Sequence, residues 1–190
     1  MSRFLIPFLA ALCLAACDGP SDSAGEQELQ DFATGPLEKL EVFDTPKPLP
    51  DLMIRPGTGD EEVPLSEAVP GPALINLWAT WCAPCVKELP ALARLSEITD
   101  LPVYALNIER GRPEKIAAFL EEKAGETLIL LRDPMQGLPV ALEASGVPST
   151  VAVNADGLMV AVLYGEADWD YDMAIAFAVA ISDKKNPFRR

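Results

Sequence analysis

Histidine is absent from all 190 residues. Without an imidazole there is no histidine base, proton shuttle or metal ligand, which excludes serine-triad and papain-like hydrolases and histidine-containing zinc or copper sites. Positive charge is scarce: 15 Lys and Arg stand against 29 Asp and Glu, for a net charge of −14. A field of that sign repels phosphate backbones, so no nucleic-acid partner is expected. Long apolar runs are missing too. Phe4 to Ala16, interrupted by Pro7, falls short of the about 20 residues that a spanning helix needs. Cysteine is limited to four residues, and neither a metal site nor a cofactor is expected. What remains is 49% apolar and 23% charged, a composition able to bury a core. The length suits one ordinary domain with a terminal extension.

The chain opens as an address. Arg3 followed by the apolar run has the shape of a signal peptide over residues 1–16. Leu14-Ala15-Ala16-Cys17 resembles a bacterial lipobox, in which the cysteine becomes the lipid-modified N-terminus. By the sorting rule of enteric bacteria, Asp18 in second place implies retention at the inner membrane. The expectation is a periplasmic lipoprotein attached through Cys17. An uncleaved anchor and a conventional signal peptide with a chance cysteine are the alternatives. Cys13 is then discarded, and Cys82 and Cys85 are left with only each other.

From Asp18 to about Pro50 the chain is rich in Ser, Gly, Glu, Asp and Pro, which reads as a lipid-anchored tether over residues 17–47 with a reach of roughly 30 Å. Docked helix around Leu37 to Phe43 is the exception considered. Residues 48–190 read as the folded domain, with strand and helix signals alternating as in an α/β protein. Leu52 to Arg55 and Glu62 to Leu65 predict an N-terminal β-hairpin, and Ala73 to Trp78 a central strand covered on both faces. A helix is predicted from Ala83 to Ile98, a strand from Pro102 to Ile108, and a helix opened by Pro113. Strands at Thr127–Leu131, Thr150–Asn154 and Leu158–Tyr164 follow, the last two joined by the turn Asn154-Ala155-Asp156-Gly157, before a closing helix over Asp170–Ile181.

Chemistry concentrates in Trp81-Cys82-Ala83-Pro84-Cys85, between a buried strand and a helix start. Cys82 there faces unpaired backbone N–H groups and the positive end of the helix dipole, which stabilise a thiolate. The spacing of three puts Cys85 one turn on, within disulfide reach but deeper. Cys82 is therefore the expected nucleophile and Cys85 the resolving thiol. One C-x-x-C with no histidine cannot complete a four-ligand zinc site. A passive disulfide is the remaining bland reading.

This motif, preceded by Asn76-Leu77-Trp78-Ala79-Thr80 and followed by Lys87-Glu88-Leu89-Pro90, resembles the thioredoxin fold. In particular it resembles the membrane-anchored TlpA/ResA-like thiol–disulfide oxidoreductases and their TlpA branch. The likeness extends from about Pro48 to Ile181 and includes Gly165-Glu166-Ala167-Asp168-Trp169. It implies a central mixed β-sheet flanked by helices. Gly146-Val147-Pro148-Ser149-Thr150 matches the family's cis-proline loop, so Trp81, Val147 and Pro148 are the implied substrate contacts. Thioredoxin proper has a proton-accepting aspartate where this chain has Asn76. The ResA-like branch carries a glutamate after the next strand, which makes Glu109 the candidate acceptor for Cys85, with a solvated loop carboxylate as the other reading of that residue.

Strong oxidants of this fold carry a histidine between their cysteines. Ala83-Pro84 offers none, which favours a reductant. The resemblance implies a transmembrane thiol transporter as electron donor. The implied substrates are oxidised metal-site cysteines of a Sco-like copper chaperone or copper-centre oxidase subunit, or alternatively apocytochrome c before haem attachment. A general disulfide oxidant or isomerase also remains. A copper carrier of the Sco type resembles Cys-x-x-x-Cys with a distal histidine, and a peroxiredoxin-type peroxidase needs Thr-x-x-Cys. This chain has neither pattern.

Overall fold

The computed structural model describes residues 29–182. The signal-peptide segment and Cys17 lie outside them. Eight strands run β1 (Leu40–Pro48), β2 (Met53–Pro56), β3 (Val63–Pro64), β4 (Ala73–Trp78), β5 (Val103–Asn107), β6 (Ile129–Arg132), β7 (Ser149–Val153) and β8 (Leu158–Tyr164). The helices are α1 (Leu65–Ala68), α2 (Ala83–Thr99), α3 (Pro113–Ala124), α4 (Gly137–Ala141) and α5 (Asp172–Ser182). The strands form one mixed sheet in the order β1-β8-β7-β4-β5-β6-β2-β3. β4, β5 and β6 are mutually parallel, and every other pairing is antiparallel. This is the thioredoxin-like architecture expected, with the predicted hairpin β2–β3 added beside β6. Among the described residues no helix is long and apolar enough to cross a membrane.

Side chains of a strand alternate between faces, and in β4 that alternation places the chemistry. Ala73, Ile75 and Leu77 join Leu106, Val151 and Val162 in one core layer. Leu74 and Trp78 enter the other layer, with Cys85, Leu89 and Leu92 of α2 and Phe177 of α5. Asn76 shares the parity of Leu74 and Trp78, so a polar group is buried beneath α2.

The parallel register puts the segments after β4 and β5 at the same end of the sheet: Trp78 pairs with Asn107, and Ile108 N–H donates to the Trp78 carbonyl at 3.1 Å. β7 runs back along β4 with Leu77 opposite Ser149, which brings the start of β7 to that end as well. The 81–85 motif, Glu109 and Pro148 thus meet at the carboxyl ends of parallel strands, where α/β sheets build their sites.

The tether assigned to residues 17–47 needs correcting in its second half. Leu40 to Pro48 is an edge strand paired antiparallel with β8, with an irregularity between Val42 and Lys47. Gly35–Leu37 is a short 3-10 helix in place of the docked helix considered at 37–43. Leu29 and Leu37 are fully buried, Leu40 is buried, and Phe32 meets the Phe177 ring edge-on at 5.7 Å. A few apolar residues spaced through polar sequence cover α5 and the edge of β8, which composition averages hide. The prolines are tolerated because an edge strand leaves one row of N–H groups unpaired. The folded domain therefore begins before residue 48.

Candidate active site

Cys82 is the N-cap of α2, with φ −87° and ψ 97°, and its Sγ accepts a hydrogen bond from Cys85 N–H at 3.3 Å. An N-cap acceptor satisfies one of the orphan donors of the first turn. Here that acceptor is a sulfur, and the same donor and dipole favour its negative charge. Pro84, in the first turn, has no N–H to leave unpartnered. The two cysteines are joined as a disulfide, with Cα atoms 5.3 Å apart. Cys82 keeps 5% exposure and Cys85 has none, so attack from outside reaches Cys82 only.

Around that opening stand the other residues read from sequence. Trp81 is 68% exposed beside Cys82. The Val147–Pro148 bond is cis, Pro148 is buried, and Val147 is half-buried. The Val147 carbonyl oxygen lies 3.6 Å from Cys82 Sγ, a contact in which the disulfide sulfur has no proton to donate. Glu109 reaches the motif from the segment after β5. Its Oε2 accepts from Thr80 N–H at 2.7 Å and its Oε1 from the Thr80 hydroxyl at 3.1 Å. Both oxygens are thus engaged in fixing the loop ahead of Trp81. Gly111 permits this approach, since a Cβ there would meet Glu109 Oε1 at 3.0 Å and Ile116 Cδ1 at 3.1 Å.

The sequence reading assigned no chemistry to Glu88. It lies three residues after Cys85, hence on the same helix face, and is buried. Its Oε1 accepts from Asn76 Nδ2 at 2.7 Å. Its Oε2 accepts from Trp169 Nε1 at 3.3 Å and Ala167 N–H at 3.4 Å. Burial pushes its pKa up from 4.5 to about 7, with the nearby Glu166 charge adding to the rise, against the lowering effect of those three donors. A carboxyl that titrates near neutrality, one turn from a buried thiol, is suited to exchange protons with it. The available signal was a glutamate on the apolar stripe of α2, between Cys85 and Leu89.

Asn76 makes either charge state of Glu88 tenable. Its Nδ2 also donates to Thr150 Oγ1 at 3.0 Å, while its buried Oδ1 has no partner among the described residues. In this orientation the amide serves the carboxylate. Turned over, it would accept from a protonated Glu88, and the Thr150 hydroxyl can donate as well as accept.

Comparison with known proteins agrees with this geometry. The chain is 27% identical over 142 residues to the thiol:disulfide interchange protein DsbE of Pseudomonas fluorescens biotype C, covering 73% of this chain and 79% of that one. It is 33% identical over 125 residues to a DsbE homolog of Paracoccus denitrificans, covering 60% and 68%. Among solved structures, a thio-disulfide isomerase from Thermus thermophilus superposes with a TM-score of 0.55 at 28% identity, over 72% of this chain and 97% of that chain. A secreted thiol-disulfide isomerase from Corynebacterium glutamicum shares the fold, with a TM-score of 0.60 at 21% identity over 74% and 92%. The AhpC/TSA family pattern matches residues 46–162, which span the sheet from β1 into β8. With that match and a redox Cys82–Cys85 pair at a helix start, the chain belongs to the AhpC/TSA family and is a thiol–disulfide oxidoreductase.

Proposed function

We propose that this oxidoreductase works as a reductant of the TlpA/ResA type, held at the periplasmic face of the inner membrane by lipid on Cys17. The observation that carries the reading is the asymmetry of the pair: a capping sulfur at the surface, and a sealed sulfur one turn from a buried carboxyl that titrates near neutrality. In the reduced protein the Cys82 thiolate attacks a substrate disulfide. That bond breaks, one substrate thiolate leaves and takes a proton from solvent, and a mixed disulfide forms. Cys85 then gives its proton to Glu88 and attacks Cys82 Sγ. The mixed disulfide breaks, the second substrate thiolate leaves, and two electrons have passed to the substrate. The protein is left in the disulfide state found here, to be reduced again by the dithiol of a transmembrane thiol transporter.

An extended substrate segment donates a backbone N–H to the Val147 carbonyl, as in strand addition, which holds its sulfur over Cys82 while Trp81 covers one side. Glu109 supports the step by holding Thr80, and the acceptor role expected of it passes to Glu88. The substrates proposed are oxidised metal-site cysteines, on a Sco-like copper chaperone or a copper-centre oxidase subunit. Apocytochrome c is the rival, since its haem-binding cysteines would be reduced by the same dithiol chemistry.

Cys82→Ser and Cys85→Ser test the reading together. The first is expected to abolish disulfide reductase activity. The second is expected to accumulate mixed disulfides through Cys82, identifiable by mass spectrometry of envelope extracts. Full activity in the Cys82 variant would refute the mechanism. A trapped apocytochrome in place of a copper protein would replace the substrate proposed.

A further inference from the structure

A pocket of about 460 Å³ shares no lining residue with the groove beside Trp81. It is bounded by Pro84 of the motif, by Lys87, Glu88 and Arg94 of α2, and by the segment joining β8 to α5. That segment, Gly165 to Asp170, is fastened at both ends. Gly165 N–H donates to the Pro148 carbonyl at 2.9 Å, and Arg94 forms a two-pronged ion pair with Asp170, Nε to Oδ1 at 2.8 Å. Between the anchors it turns two donors onto one oxygen: Ala167 N–H and Trp169 Nε1 both point at Glu88 Oε2. The Trp169 indole is 1% exposed. A buried indole N–H needs an acceptor, and here the acceptor is this carboxyl. Glu88 itself lines the pocket, beside Glu166 and Ala167 of this clasp.

We propose that Trp169 is a positioning residue for the dithiol reaction: held by the clasp between Pro148 and Arg94, its indole N–H orients the Glu88 carboxyl and sets the pH at which Cys85 surrenders its proton. The inference rests on the reading of Glu88 as that proton's acceptor. An N–H donor favours the ionised carboxylate, the form able to take a proton from Cys85. Losing the donor shifts the balance toward the protonated acid and moves the step to higher pH. The proton passes from Cys85 Sγ to Glu88 and on to solvent through the pocket, while the electron pair of the thiolate forms the new bond to Cys82 Sγ as the partner's sulfur departs. The charged groups that line the same pocket are Lys87 and Arg94 on the helix of Glu88, Glu166, Asp168 and Asp170 on the clasp, and Glu38 and Lys39 on the N-terminal segment, and of these the Glu166 charge raises the pKa of Glu88. β4 and β7 present only the neutral Asn76 and Thr150.

The test is the pH dependence of mixed-disulfide resolution in the full chain, measured in single turnovers of the reduced protein with oxidised glutathione. The wild-type midpoint is expected near 7, where Glu88 titrates. Trp169→Phe keeps an aromatic ring and removes the donor, and its midpoint should rise by about half a pH unit or more. Loosened packing alone admits water to Glu88 and leaves the midpoint in place or lowers it, so a folded Trp169→Phe protein whose midpoint does not rise overturns the proposal. Should that variant fail to fold, benzothienylalanine at position 169 keeps the indole's shape without its N–H, and the same shift or its absence decides. Glu88→Gln distinguishes failure of the clasp from failure of the proton acceptor. If it keeps the wild-type midpoint, the acceptor reading falls. If it abolishes the midpoint while loss of the indole N–H leaves it unmoved, only the clasp falls.

Discussion

Glu88→Gln in the oxidised protein isolates what one buried carboxyl contributes to the fold. In that state Cys82 and Cys85 carry no titratable proton, and every other ionisable group is common to both proteins, so the difference between them reports position 88. The pKa of Glu88 in the fold, about 7, lies above the 4.5 of a free side chain. A group raised in this way contributes its full stability below the unfolded value and loses it as pH rises through the folded value. The interval between 4.5 and about 7 is worth on the order of 3 kcal/mol. Wild type should therefore lose about that much between pH 4 and pH 8 from this group alone, and a Gln variant should not. The amide fits the same partners, since its oxygen can accept from Trp169 and its nitrogen can donate to a turned-over Asn76. Thermal unfolding across that pH range is the assay. The Gln variant is expected to match wild type at pH 4 and exceed it at pH 8, by roughly 6–12 °C in Tm for a domain of this size. Parallel pH profiles for the two proteins would refute the reasoning, because they would mean that Glu88 is not desolvated in solution.

Two further perturbations probe the same architecture. Leu37→Ala removes a fully buried side chain from a segment whose composition reads as a tether, and is expected to cost about 2–5 kcal/mol by urea unfolding. An unchanged midpoint would mean that the segment does not dock. Asn76→Asp installs a carboxyl where Nδ2 now stands 2.7 Å from Glu88 Oε1. Two carboxyls at that spacing cannot both ionise, so one holds its proton to well above neutrality. The variant should lose more stability than wild type between pH 5 and pH 8, and equal losses would exclude the close approach.

Both edges of the sheet illustrate what a linear reading catches and misses. The hairpin β2–β3 was legible because two short apolar runs flank a Gly-Thr-Gly-Asp turn, a local signal. β1 was not, because its partner β8 lies more than a hundred residues away and its own composition is that of a linker. Pro148 was legible only through the family resemblance. Glu109 was found as a residue, but its partner Thr80 comes from another strand's end, and the contact fixes the motif loop. Glu88 sat in plain view three residues after Cys85, yet its burial depends on β4, β7 and the segment after β8 closing around it at once.

The sequence by itself determined the redox pair, the helix that activates it and the exclusion of imidazole chemistry, because these follow from residue type and spacing within one turn of chain. Folding in three dimensions decided that the carboxyl one turn after Cys85 is buried and how strongly it holds a proton. Those properties are set by desolvation and by donors on Asn76, Ala167 and Trp169, groups remote from one another along the chain that only the completed sheet and its covering helix bring to a single oxygen pair.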